Sequence, residues 1–161
     1  MITIREGQIG DAERLAQMIS AFNVEEGSPG RIARSGVVEL CFGDGCLYKP
    51  LVAETGGRLV GYALIMRYYD TEPCAWCSYM QDLYVEPDWR SRGVGRRLMA
   101  RAARLTIDEG RLELLWHVRD HNRRGRAFYA KVGGTEQTPL PVTLSGDALR
   151  QLAGEADQPV S

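Results

Sequence analysis

"DLYVEPDWRSRGVGRRLMARAARL", residues 82–105, is the stretch on which the fold turns. It opens on Asp82 and a strand-like run, Leu83, Tyr84 and Val85, which Pro87 ends. Val94, Leu98, Ala102 and Leu105, with Met99, then recur every three to four residues, which predicts an amphipathic helix over 94–108. Between strand and helix lies a link with Gly93 and Gly95 set among Arg90, Arg92, Arg96 and Arg97. The first turn of a helix has backbone N–H groups without intrahelical partners and about half a positive charge. Glycine there lets a ligand approach the backbone with no Cβ in the way. Guanidinium forks add charge that suits phosphate oxygens. The unit therefore reads as an anion site, and phosphate is its natural guest.

Two common phosphate loops do not match. A Walker loop needs Gly-Lys-Ser/Thr, and here Arg96 follows Gly95. A dinucleotide fingerprint needs a third glycine and follows the first strand of a βαβ unit, whereas "GVGRRL" lacks that glycine and follows an antiparallel meander.

Around this core signal the chain reads as one domain. Its 161 residues suffice for a sizeable core, and 44% apolar with 25% charged residues is ordinary for a soluble globular protein. A formal net charge of −1 gives no overall field for nucleic acid or membrane, so basic function must be local. No apolar run approaches the roughly 18 residues a spanning helix needs, and "MITIREGQIGDAERL" has charges where a signal peptide would be apolar. Cys41, Cys46, Cys74 and Cys77 are then expected to be reduced thiols in the cytoplasm.

The element order follows from periodicity and turn residues. Residues 2–5 read as a first strand, and "DAERLAQMISAF" places Leu15, Met18, Ile19 and Phe22 on one helical face. Residues 23–36 read as a mobile loop with room for one short helix. "LVAETGGRLVGYALIMRYY" is a hairpin whose Gly-Gly supplies the turn's positive φ. "SYMQDLYV" is the next strand, Gly110 closes the long helix, and "LELLWHV" is a buried strand. "NRRGRAFYAKVGG" is a short helix, and "LPVTLSGDALRQLA" a last strand and terminal helix.

Two motifs together resemble a known family. Arg90 to Gly95, "RSRGVG", is similar to the Arg/Gln-x-x-Gly-x-Gly/Ala signature of the GCN5-related N-acetyltransferases (GNAT). Asn122 to Gly133, "NRRGRAFYAKVG", is similar to that family's Asn…Phe-Tyr…Gly helix. Within the family the diamine (spermidine/spermine-type) enzymes are most alike, on "LVAE", "VGYAL" and "DLYV-x-x-DWRSRGVG". The resemblance implies an α/β (α+β) fold with a mixed, mostly antiparallel central sheet of six or seven strands flanked by helices. It covers 1–161 as a single domain. It also implies acetyl-CoA as co-substrate, a small amine acceptor and a homodimer.

Site residues follow from the same resemblance. The pyrophosphate of acetyl-CoA is expected at Arg90, Ser91, Arg92, Gly93, Val94, Gly95 and Arg96. Its pantetheine arm is expected along the edge of Leu83, Tyr84 and Val85, with Asn122 and Arg126 at the arm's far end. A backbone N–H there would polarise the thioester carbonyl. An alkyl amine has a pKa of about 10.4, so on the order of one molecule in a thousand is neutral at pH 7. Asp82 is placed to take its proton; the alternative is a structural carboxylate at a strand bulge. Tyr129 matches the family's proton donor to the leaving thiolate; the alternative is an aromatic packed on the helix's inner face.

The acceptor end is less defined by sequence. Glu25, Glu26 and Asp70 could draw in a cationic amine, or stand as solvated loop carboxylates. Where diamine enzymes carry two neighbouring acids, this chain has Gln81 before Asp82, which removes a negative charge. The expected acceptor is therefore a small primary amine, such as a diamine, polyamine or basic amino acid. A protein or peptide N-terminus is the rival acceptor, and a non-catalytic acyl-CoA sensor the rival class. "CAWC" with His117 and His121 has metal-type spacing, but the pairs fall on separate strands, so no metal is expected.

Overall fold

The computed structural model describes residues 1–137 and 143–153. It divides into two compact units, Met1–Asn122 and Arg123–Ser161. The first holds, in chain order, β1 (Thr3–Glu6), α1 (Ala12–Glu25), α2 (Arg34–Phe42), β2 (Lys49–Thr55), β3 (Arg58–Asp70), β4 (Ala75–Val85), α3 (Val94–Asp108) and β5 (Leu114–Leu115). The second holds α4 (Arg123–Lys131) and α5 (Gly146–Ala153).

The sheet runs β1-β2-β3-β4-β5. Its first three pairings are antiparallel and β4–β5 is parallel. This is the mixed, mostly antiparallel α/β architecture expected, with five strands among the described residues instead of six or seven. The last strand expected, near 140–144, falls largely outside the described residues.

The β2–β3 turn is made by Gly56 and Gly57, at φ +55° and +75°, as a tight hairpin of right-twisted strands requires. Further along β3, a Cβ on Gly61 would come within 2.8 Å of the Tyr84 carbonyl oxygen. Only glycine lets β3 and β4 approach so closely there.

Two helices cover the sheet with the faces that their periodicity dictates. α1 buries Leu15, Met18 and Ile19, which join Val37 and Cys41 of α2 and Tyr62, Leu64 and Tyr84 of the sheet in one core. α3 buries Val94, Leu98, Met99, Ala102 and Leu105. Each Val, Leu, Ile or Met among them contributes about 1.5–3 kcal/mol by leaving water.

Two expectations need correction. The loop over 23–36 ends early, because α2 starts at Arg34 and buries Val37 and Cys41 one helical turn apart. The strand over 112–118 shrinks to Leu114–Leu115, both half-buried. Its partner explains this. In the β3–β4 ladder Leu64 pairs with Asp82 and Ile65 with Met80, so Gln81 is an extra residue that bulges β4. A bulge increases twist and bends its strand, and the parallel ladder stops just before it, at Tyr79 and Leu115.

Candidate active site

The bulge organises the site. Beyond Tyr79, the β5-side edge of β4 has no strand partner among the described residues. That open edge runs along Leu83, Tyr84 and Val85. His117, two residues past β5, still reaches back, its Nδ1 2.8 Å from Tyr79 Oη.

Asp82 follows the bulge. Tyr62 Oη, wholly buried on β3, donates to Asp82 Oδ2 at 3.1 Å. Among the described residues no hydrogen bond reaches the other carboxylate oxygen and no fully buried side-chain oxygen lacks a partner, so Oδ1 is the one open to solvent. Burial pushes the Asp82 carboxyl up to about 6, against the Tyr62 hydrogen bond, which acts to lower it. Burial first, and then the charge of Asp82, raise the Tyr62 phenol far above its usual range. The same two effects raise Tyr48 and Tyr79. Cys41 is lifted to about 11, chiefly by burial, so it stays a thiol.

Asp82 lies on the wall of a pocket of about 180 Å³ between the sheet and the two N-terminal helices. Ile19, Ile32, Val37, Leu40 and Leu64 supply its apolar lining. Asn23, Cys41, Tyr48 and Gln81 add neutral polar groups.

The link after β4 starts α3 at Gly93, in the left-handed region at φ +80°, with no side chain capping the helix. Ser91 is also left-handed, at φ +61°. A Cβ at Gly93 would meet nothing within 4 Å, so the backbone there faces open space. Arg97 donates to the Ile2 carbonyl, and Arg90 too is engaged within the protein. Its NH2 donates to both oxygens of Glu25 at 2.7 Å, its Nε to the Val85 carbonyl at 2.6 Å, and it lies over the Tyr84 ring. Arg92 lies over the Trp89 ring at 5.2 Å.

The three acids assigned to the acceptor do not gather around Asp82. Glu25 is paired with Arg90, and Glu26 with Arg119 at 2.8 Å. Asp70 pairs with Ala75 at the far end of the β3–β4 ladder and accepts the Glu72 N–H. Six strand residues separate it from the level of Asp82, a distance on the order of 20 Å.

Asn122 donates its backbone N–H to Arg119. In the second unit, Tyr129 sits on α4 with its ring edge-on to Phe128 at 5.3 Å. Arg126 makes a two-pronged pair with Glu136, both contacts 2.7 Å.

Tyr62 was not among the residues that sequence reasoning picked out. Its signal was present: one hydroxyl in the otherwise apolar strand "VGYALIM". A buried phenol needs a hydrogen-bond partner, but the sequence does not say which.

Residues 16–134 match the family model described as the acetyltransferase (GNAT) family. The chain belongs to that family. It is therefore an acetyl-CoA-dependent N-acetyltransferase, with acetyl-CoA as co-substrate. Over 171 residues it is 28% identical to the thialysine N-epsilon-acetyltransferase of Bos taurus, covering 96% of this chain and 98% of the relative. Its fold is similar, at TM-score 0.80 and 18% identity, to an integron cassette protein from the mobile metagenome of V. cholerae, covering 94% and 97% of the two chains. An aminoglycoside N-acetyltransferase in complex with CoA gives a TM-score of 0.76 at 19% identity, over 89% and 93%. The start of α3 fits the phosphates of such a co-substrate: uncapped N–H groups, a left-handed glycine and open space above it. No helix of the described residues is long and apolar enough to cross a membrane.

Proposed function

We propose that this member of the GNAT family acetylates the primary amine of a small molecule, with Asp82 receiving the amine proton. The observation that carries this is the Asp82 carboxylate itself. One oxygen is fixed by Tyr62, the other is open, and the group lies on a pocket wall next to the unpaired edge of β4. A base needs a lone pair that faces its substrate and a proton affinity near the working pH. Burial supplies the second by raising the Asp82 carboxyl to about 6. Each unit of that rise narrows the gap to an alkyl ammonium by about 1.4 kcal/mol.

Acetyl-CoA brings an acyl thioester to the site. The N–H groups from Ser91 to Arg96 hold its pyrophosphate, and Arg92 and Arg96 add charge around them. Asn122 and Arg126 serve the far end of its pantetheine arm. Leu83, Tyr84 and Val85 present the strand edge along which that arm lies, and a backbone N–H of this edge polarises the thioester carbonyl. Tyr129 gives a proton to the departing thiolate. A phenol near pKa 10 facing a thiol near 8.5 transfers that proton uphill by roughly 2 kcal/mol in water, and a dry site narrows the gap by disfavouring the thiolate.

The small acceptor is supported by the full-length similarity to thialysine N-epsilon-acetyltransferase. We place the whole of residues 1–161 in one catalytic domain, working in the cytoplasm as a homodimer. Sedimentation would read the oligomer directly. The deciding experiment is thiol release from acetyl-CoA with a panel of amines, run on the native chain and on Asp82→Asn. Release that depends on the amine and falls about a hundredfold or more in the variant is the expected result. Equal rates for the two proteins would remove Asp82 from the reaction.

A further inference from the structure

The pocket beside Asp82 is specific about charge. Among the described residues Asp82 is the one acidic group on its wall, and no Lys or Arg lines it. Asn23, Tyr48 and Gln81 can accept or donate hydrogen bonds but carry no charge, and the remaining lining is apolar. Glu25 and Glu26, just past Asn23, are paired with Arg90 and Arg119, and Glu39, beside Leu40, is exposed and off the lining.

The geometry points to an acceptor with a single positive charge: a primary monoamine on a short aliphatic or single-ring body, seated between α1, α2 and the sheet with its nitrogen at Asp82 Oδ1. This rests on the acetyltransfer proposed above and narrows its substrate class. Three consequences of the lining lead to it. One carboxylate answers one ammonium. A second ammonium of a diamine entering the pocket would lose water and meet only neutral groups, which is costly for a charge. The α-carboxylate of an amino acid would likewise find no cation, and the open oxygen of Asp82 would repel it. An alkyl or aryl body, in contrast, gains by covering Leu40, Ile32 and Leu64. At about 180 Å³ the space holds a compact body.

Gln81 makes the reading adjustable. It lies on the pocket wall, exposed, at the bulge beside Asp82. Gln81→Glu changes almost no volume and adds a second negative charge where a second ammonium could use it.

The test is kcat/KM by thiol release at fixed acetyl-CoA, for isoamylamine, putrescine and lysine, on the native chain and on Gln81→Glu. Isoamylamine should exceed both others by about tenfold or more, the scale on which a pocket discriminates by apolar fit and unpaired charge. Gln81→Glu should cut the isoamylamine-to-putrescine ratio by about threefold or more. Putrescine or lysine turned over as well as isoamylamine would overturn the monoamine inference and leave acetyltransfer standing. A ratio unmoved in Gln81→Glu would overturn the assignment of the preference to this pocket. Thiol release with none of the three, where the native chain binds acetyl-CoA, would overturn both the inference and the small-amine function beneath it.

Discussion

Tyr62 Oη donates to Asp82 Oδ2 at 3.1 Å, across the register point where Leu64 pairs with Asp82 and the β4 bulge begins. The bond fixes the carboxylate's rotation and leaves one oxygen toward the pocket. It also favours the ionised form, opposing the burial that raises Asp82 to about 6. Tyr62→Phe keeps the ring, which packs 5.9 Å from Tyr84, and removes the donor. The acid limb of kcat/KM, near pH 6 in the native chain, should move to higher pH in the variant. Asp82→Asn should abolish that limb and serves as the control. Tyr48, Tyr79 and Cys41 surround the carboxylate, but burial raises all three away from neutrality. A limb that stays in place in Tyr62→Phe reduces Tyr62 to a packing residue.

Gly93 and Arg90 should separate backbone from side-chain contributions to acetyl-CoA binding. At φ +80° a side chain at 93 strains the backbone by about 1–2 kcal/mol, and its Cβ would stand in the open space over the helix start. Gly93→Val should weaken acetyl-CoA binding by about tenfold or more, through lost access to those N–H groups. Arg90 is already engaged by Glu25 and the Val85 carbonyl. Arg90→Ala should therefore lower Tm more clearly than it lowers affinity. Calorimetric titration of both folded variants checks the order, and unchanged affinity in Gly93→Val removes the phosphates from the start of α3.

Tyr129→Phe tests the proton given to the thiolate. The hydroxyl is lost while the aromatic pair with Phe128 is kept. Loss of a general acid lowers kcat by roughly a hundredfold or more, and acetyl-CoA affinity should hardly change. Near-normal turnover would return Tyr129 to a packing role on α4.

How much of this was legible beforehand differs by kind of signal. α3 could be read to the residue, because Val94 to Leu105 keep helical spacing and Gly110, at φ +63°, closes the helix. The hairpin at Gly56 and Gly57 was equally plain. The short β5 was not, because "LELLWHV" has a strand's composition and what ends the strand is a bulge on a different one. The surroundings of the acids were not legible either. Glu25, Glu26 and Asp70 are simply carboxylates in sequence, and the arginines that pair with the first two, Arg90 and Arg119, are distant along the chain. The hydroxyl that fixes Asp82, that of Tyr62, is 20 residues upstream and hidden in an apolar strand.

Asp82 also makes a prediction about stability, opposite in sign to that for activity. Its carboxyl has a usual value of 3.8 and is raised to about 6 by burial in the fold. The folded state thus binds this proton more tightly than the unfolded chain does. The stability tied to it is fully present below 3.8 and is lost as pH rises through about 6. Asn at this position carries no charge to desolvate, and its side-chain oxygen can still accept from Tyr62. Asp82→Asn should match the native chain's stability near pH 3.5 and exceed it increasingly up to about pH 6. Above that the gain should be constant, at up to about 3 kcal/mol. For a chain of this size that corresponds to a Tm rise of up to roughly 10 °C. Thermal melts of both proteins across this pH range read it directly. A variant that is inactive yet more stable at pH 8 is what a buried base predicts, since the strain of holding its charge serves catalysis and not the fold. A gain that is absent, or the same at every pH, would mean that the fold does not hold Asp82 with a raised proton affinity, and its role as the base would lose its physical support.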